Sequence, residues 1–228
     1  MTASLLLGLG SVAAGQAVVL TYYLYQYFIV GVSDKQRFHN DNGPPLPREI
    51  WAHVCSPESF GLVFLYLSLM WHGGLMLTSY YDDDLPFSLW EVIQQLLVVD
   101  AVMYVVHRLE HTWQLKSHRP HHVFTRPRLL HAFQGSLGDT TLLILWPLAC
   151  TSQLVPASYW SYMVFGTVYS SYFVLIHCEF AHPFDPWLRR FGIATTQDHQ
   201  CHHKYFHGNF GHFFTYWDRL GKTYIGRY

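Results

Sequence analysis

The sequence predicts an all-α protein, a polytopic membrane bundle of about four to five spans or hairpins capped by a cytoplasmic histidine-rich helical region. Three observations predict it. Of 228 residues, 50% are hydrophobic, 18% aromatic and only 13% charged. The apolar residues gather into long runs separated by polar stretches. Eight of the 16 histidines sit in three patterned boxes within those polar stretches.

The first apolar run, Leu5–Val30, has no basic residue ahead of it and no small-residue cleavage site, so it reads as an anchor and not as a removed signal peptide. With the segment up to residue 59 it forms an N-terminal anchor and loop. Asn, Gly and three prolines in His39–Arg48 disfavour a helix there. Residues 60–228 read as a second unit. It holds the runs Phe60–Tyr80, Leu89–Val106, Leu137–Val155 and Ser158–Ile176. Each run is long enough, or nearly so, for a hydrocarbon layer of about 30 Å at about 1.5 Å per residue. Asp139, Pro147 and several serines interrupt the last two, so a re-entrant hairpin is the alternative there. Ser88-Leu-Trp-Glu91 fits a capping box that starts the third run. Asp185, Pro186 and Gly192 bound a short helix whose Trp187, Arg189 and Arg190 suit a headgroup region.

The charges agree with this map. All 14 Lys and Arg residues fall between the first two runs, around the first two boxes or in the C-terminal region. The connection at Tyr81–Pro86 instead carries Asp82, Asp83 and Asp84, and the connection near Pro156 has no basic residue. With five spans, every basic residue and every histidine box lies on one face, cytoplasmic by the positive-inside rule. A net charge of −1 gives no case for nucleic-acid binding. Cys55, Cys150, Cys178 and Cys201 form no C-x-x-C pair and are expected as reduced thiols.

The boxes are His107 and His111, then His118, His121 and His122, then His199, His202 and His203. Neutral imidazole is the commonest metal ligand. On a helix, each box places its rings on one face, where they either cap one metal or divide between two. Eight rings are too many for one ion. His177 and His182, at the end of the fifth run, are delivered to the same face and bring the set to ten. His131 is a weaker candidate. His39, His53, His72, His207 and His212 show no partner pattern. Asp100 lies seven residues before His107, on the same helical side, inside an apolar run. A carboxylate there needs a reason, and a hydrogen bond to the outer nitrogen of a ligand histidine supplies one. Imidazole suits iron, zinc and copper alike, so ligand type does not choose the metal.

Asp100-x-x-x-Tyr104-x-x-His107-Arg108-x-x-His111, His118-Arg-Pro-His121-His122, His177, His199-x-x-His202-His203, Asn209-Phe-Gly and Trp217-Asp218-Arg219 together resemble the fatty acid hydroxylase / sterol desaturase superfamily. The resemblance runs from about Ser88 to the C-terminus. It implies a di-iron membrane oxygenase using dioxygen on a lipid, a fatty acyl chain or a sterol. It further implies electrons from a reductase through a separate haem protein, and residence in the endoplasmic reticulum. The chain departs from the family pattern at His131-Ala-Phe, which lacks a proline, at the shortened Trp217-Asp-Arg-Leu-Gly221, and at His177-Cys-Glu-Phe, where many sterol-acting members have His-Ser-Gly-Tyr. Hydroxylation of an unactivated C–H bond is the leading expectation, with desaturation at the same site as the alternative. A membrane haem protein would need histidines deep in facing spans. A metal transporter would need more ionisable groups near the midplane.

Overall fold

The computed structural model describes residues 2–39, 45–55 and 61–226. The proposed unit boundary at 59/60 and part of the His39–Arg48 loop lie outside them. The described residues hold helices α1 (Thr2–Tyr25), α2 (Pro47–Cys55), α3 (Leu62–His72), α4 (Leu89–Thr112), α5 (Leu137–Thr140), α6 (Trp146–Leu154), α7 (Tyr159–Leu175), α8 (Asp185–Arg190), α9 (Thr196–Tyr205) and α10 (Tyr216–Leu220). Extended pairing among them is confined to two isolated bridges, Arg37 with Phe180 and Ile193 with Phe214.

Two of the five expected spans are single helical stretches long and apolar enough to cross a membrane, Leu5–Val30 and Leu89–Thr112. Only 28% and 33% of their most apolar windows are buried inside the protein, whereas the core helix of a soluble domain would be mostly enclosed. The other three runs are shorter than expected. The second yields only the 11 residues of α3, because Gly73 and Gly74 end it. The fourth is a continuous helical segment, 137–154, with a π-helical turn at Thr141–Leu145 between α5 and α6. Pro147 explains the turn: it lacks the N–H that would bond Leu143, and its ring crowds that carbonyl, so the ladder widens ahead of it. The fifth is α7, of 17 residues. Large apolar side chains on all five stand exposed, among them Val18, Phe64, Leu69, Val105, Trp146 and Val168. So wide an apolar surface suits lipid and not water.

Capping and packing fix the helix directions. Ser88 caps α4 by accepting from the Glu91 amide at 3.5 Å. The Glu91 carboxylate does not return to close the predicted box; it accepts from the Ser158 amide at 2.8 Å, at the cap of α7. The Ser161 hydroxyl bridges back to Ser88. The starts of α4 and α7 are therefore tied together, and the two helices run parallel. Helix α1 runs the same way, with Ser11 against Gly166, Gly15 against Thr167 and Ser170, and Tyr23 at Glu179. Small residues four apart on both helices, Ser11 and Gly15 on α1, Gly166 and Ser170 on α7, let the backbones approach closely, which drives helix association in lipid. A Cβ at Gly15 would collide with the α7 backbone.

At the far end of α1, buried Glu179 accepts from Tyr23 at 2.7 Å, Tyr27 at 2.6 Å, Arg128 at 3.3 Å and the Leu129 amide at 3.3 Å. This locks the N-terminal helix onto the segment that follows α7. Three parallel helices thus deliver their C-terminal ends, and His107, His111 and His177 with them, to one end of the bundle.

Candidate metal centre

Nine of the ten predicted histidines form two groups. His107, His111, His118, His122 and His202 bring one ring nitrogen each within 4.8 Å of one another, and so do His121, His177, His199 and His203. The groups abut: the rings of His122 and His203, one from each, lie 4.7 Å apart. Both H-x-x-H-H boxes are shared. His118 and His122 belong to the first group and His121 to the second. His202 belongs to the first, with His199 and His203 in the second. In the third box this follows from α9, where positions four apart stack and the intervening residue is rotated away. The second box divides in the same way, His118 with His122 and His121 apart, although residues 121–123 form a single 3₁₀ turn after Pro120 and not an α-helix.

The hydrogen bonds decide the protonation pattern. The Nδ1 atoms of His107, His121, His177, His202 and His203 face the carbonyls of Phe210, Gln134, Phe173, Gly208 and Phe124 at 2.8, 3.3, 2.9, 2.8 and 2.9 Å. His118 Nδ1 faces Asp139 Oδ1 at 2.7 Å. A carbonyl can only accept, so Nδ1 carries the proton and Nε2 presents a bare lone pair. Yet Nε2 atoms of rings fixed in this way face one another: 3.0 Å for His107 and His118, and 3.4 Å for His177 and His121. Two lone pairs so close repel unless a cation stands among them, and His122 and His199, whose Nδ1 atoms are unbonded, bring their Nε2 atoms to 2.7 Å from His118 and 2.9 Å from His177. Nitrogens about 2.1 Å from a shared metal are separated by about 3.0–3.4 Å, so the spacing fits a metal in each group.

Burial pushes the imidazoles of His122, His177, His199, His202 and His203 well below the ordinary histidine value, and holds His121 near 4. They are neutral, ligand-competent rings at pH 7. The sign follows. As pH falls below the ordinary value of 6.5, the unfolded chain takes up protons that the folded centre refuses, so folding and metal retention both weaken. We expect metal content, followed by mass spectrometry of the eluted protein, to hold at pH 7–8 and to be lost progressively as pH falls from about 6 toward about 4. Loss already advanced at pH 7 would contradict imidazoles that burial holds neutral there.

His182 does not join either group. The chain after Glu179 runs alongside residues 36–38, with Phe38 donating to the Glu179 carbonyl and Ala181 to that of Gln36. This carries His182 back to α1, where its Nδ1 meets the Tyr22 hydroxyl at 3.0 Å. His131 instead serves its own turn: its Nδ1 accepts from the Arg128 amide at 3.3 Å, and its ring packs on Phe124.

Asp100 corrects a second expectation. Its buried carboxylate bonds no histidine ring; it accepts from the backbone amides of His212, Phe213 and Phe214, each at 2.8 Å. Asp218 takes the two preceding amides, those of Phe210 and Gly211, at 2.9 and 2.8 Å. Five consecutive N–H groups are thus clamped by two carboxylates, and the carbonyl of Phe210 in that loop is the partner of His107 Nδ1. The Asp100 carboxylate reaches the centre through the loop.

Three participants escaped the sequence reading. Asp139 appeared only as an interruption in an apolar run, though a charge there was the available signal. Glu110 is buried with its Oε2 3.8 Å from His118 Nδ1. His212 is buried between the two groups, its ring 5.1 Å from that of His107 and 5.0 Å from that of His199.

The fold and site define a helical protein with wide apolar surfaces and two abutting imidazole clusters that could each hold a metal ion. The family model for fatty acid hydroxylase matches residues 92–223, and the chain belongs to that family. It is 38% identical over 227 residues to an alternative squalene epoxidase of Phaeodactylum tricornutum, across 96% of this chain and 65% of that protein. It is 32% identical over 142 residues to a Delta(7)-sterol 5(6)-desaturase of Candida dubliniensis, across 60% of this chain and 34% of that one. It is 27% identical over 161 residues to the lathosterol oxidase of Homo sapiens, across 63% of this chain and 50% of that one. The chain therefore spans from about a third to just under two thirds of the length of these relatives. No solved structure matches it significantly.

Proposed function

We propose that this chain is a di-iron, dioxygen-dependent membrane oxidoreductase that adds oxygen to an unsaturated isoprenoid lipid of sterol synthesis. The observation that carries the reading is the convergence of nine imidazoles, six with Nδ1 bonded to a carbonyl or carboxylate and Nε2 turned inward. The first group would hold one iron through His107, His111, His118, His122 and His202, and the second the other through His121, His177, His199 and His203. A pair of irons held there would supply the reduction of dioxygen by two external electrons and two protons, one oxygen atom passing to the lipid and the other leaving as water. The chain's own residues do the rest. Backbone carbonyls and Asp139 fix the tautomers, and burial excludes bulk water. The bundle brings the centre to the end of the apolar helices, where a lipid arrives without crossing water.

The likeness to an alternative squalene epoxidase takes in α1 and α3, outside the family domain, and favours oxygen insertion at a carbon–carbon double bond. Hydroxylation of a saturated carbon uses the same centre. Desaturation of a sterol ring is the second reading, favoured by the desaturase matches. Electrons would come from a separate haem protein and its reductase. The histidine boxes would face the cytoplasm at the endoplasmic reticulum, as the one-sided basic residues suggest.

Lipid profiling by mass spectrometry tests this. The chain is expressed in cells whose own squalene epoxidation is blocked, with His203→Ala as control. A squalene product heavier by one oxygen is expected from the intact chain only. A sterol lighter by two hydrogens would move the assignment to desaturation, and no lipid change with iron bound would end the oxygenase proposal.

A further inference from the structure

We infer that His212 is a specificity-determining residue that faces the substrate, and not a tenth metal ligand. The inference rests on the oxygenase reading above. The His212 ring stands at the seam between the two groups, yet its nitrogens belong to neither ligand set. It stacks on Phe173 at 5.4 Å and 19°. With His121, Asp139 and Thr140 it forms the polar end of an enclosed void, whose remaining wall is Ala132, Phe133, Leu143, Ile144 and Phe173. The void measures about 10 Å³, room for a single water-sized or methyl-sized group.

The backbone that carries the ring is anchored. The His212 amide and the two that follow it are held by Asp100, and the ring itself rests on Phe173. The opposite wall differs. Leu143 and Ile144 belong to the π-helical turn at Thr141–Leu145, and the adjoining Leu142 and Trp146 are exposed on the apolar surface. One turn of helix, without the regular hydrogen-bond ladder, separates the void from lipid. Such turns recur at functional sites and are the more easily opened part of a helical wall.

A hydrocarbon chain passing that turn meets the His212 ring where it reaches the paired metal sites. The ring then sets how far the chain advances, and so which carbon is presented. A void this narrow takes the tip of an acyclic isoprenoid and not the fused rings of a sterol. The inferred ligand class is therefore a linear, unsaturated hydrocarbon entering tip first, with terminal double bonds oxidised in preference to internal ones.

The test uses the whole chain in membranes, with squalene as substrate and a diazirine-bearing linear isoprenoid as photolabel. His212→Ala is expected to keep wild-type iron per chain, while the ratio of terminal to internal oxidation falls by about tenfold as the chain slides deeper. His212→Phe, which keeps a ring in place, is expected to keep both the iron and the terminal preference. In the wild-type protein the photolabel is expected on peptides spanning 141–145 and 210–213. Loss of iron in step with activity in both variants would make His212 a ligand and overturn the inference. Unchanged product positions in His212→Ala with iron intact would overturn it too, as would labelling elsewhere. Labelling at these peptides without turnover would leave the pocket standing and the oxygenase reading refuted.

Discussion

His203→Ala is expected to abolish turnover and to lower bound metal from about two ions per chain to about one. The reason is the division of the histidines. His203 belongs to the group of four, so its loss leaves three donors, His121, His177 and His199, while the group of five is untouched. It also leaves the Phe124 carbonyl without the Nδ1–H that approaches it at 2.9 Å. His202→Ala, one residue away, takes from the other group instead and leaves four donors there. Single replacements should therefore lower occupancy in their own group and not in the other, the loss being greater from the smaller group. Elemental analysis of purified variants reads this directly, with circular dichroism confirming that the helices persist. Full metal content in His203→Ala would break the assignment of groups, and joint loss of both ions from every variant would mean one shared cluster.

Much of this architecture was legible in the chain. The apolar runs located the helices of the bundle, and Ser88 marked the start of α4. The boxes named eight of the nine histidines that the fold brings together, and the end of the fifth run named the ninth, His177. What stayed hidden depended on chain direction outside regular helices. Spacing left each box free to cap one metal or to divide between two, and only the fold shows that both H-x-x-H-H boxes divide, with His121 and His202 each parted from the other two. His182 follows His177 by five residues and looks like its partner, yet pairing of the intervening segment with residues 36–38 leads it away. The length of the second run misled for a different reason. Apolar composition continues past Gly73 and Gly74 while the helix stops there. His212 had no spacing to announce it, since its place comes from amides bound by a carboxylate 112 residues earlier in sequence. For Asp100 the reasoning that a buried carboxylate must have partners was sound, but sequence offers no means of choosing ring nitrogens over backbone amides.

Asp100→Asn tests that last point, and the expected result differs from that of a simple loss of charge. Asp100 Oδ1 accepts from the amides of His212 and Phe213, and Oδ2 from that of Phe214. An asparagine supplies one acceptor oxygen. Its NH₂ group must then point at an N–H donor or force the loop to turn, and a buried donor left unbonded costs about 1–3 kcal/mol. Asp218 still holds Phe210 and Gly211, so the loop shifts at its later half, where His212 lies. His107 keeps its carbonyl partner only as well as that anchor allows. We expect metal retention against a chelator to fall by about 10- to 100-fold, as for other losses just outside a ligand shell. The loss should come first from the group containing His107. Asp218→Asn, acting on the residues next to the Phe210 carbonyl, should match or exceed it. The double variant should fall short of the sum of the two, because both carboxylates brace one loop. Chelator-challenge kinetics on the three proteins measure this, and strict additivity would show two independent contacts where the geometry describes a single clamp.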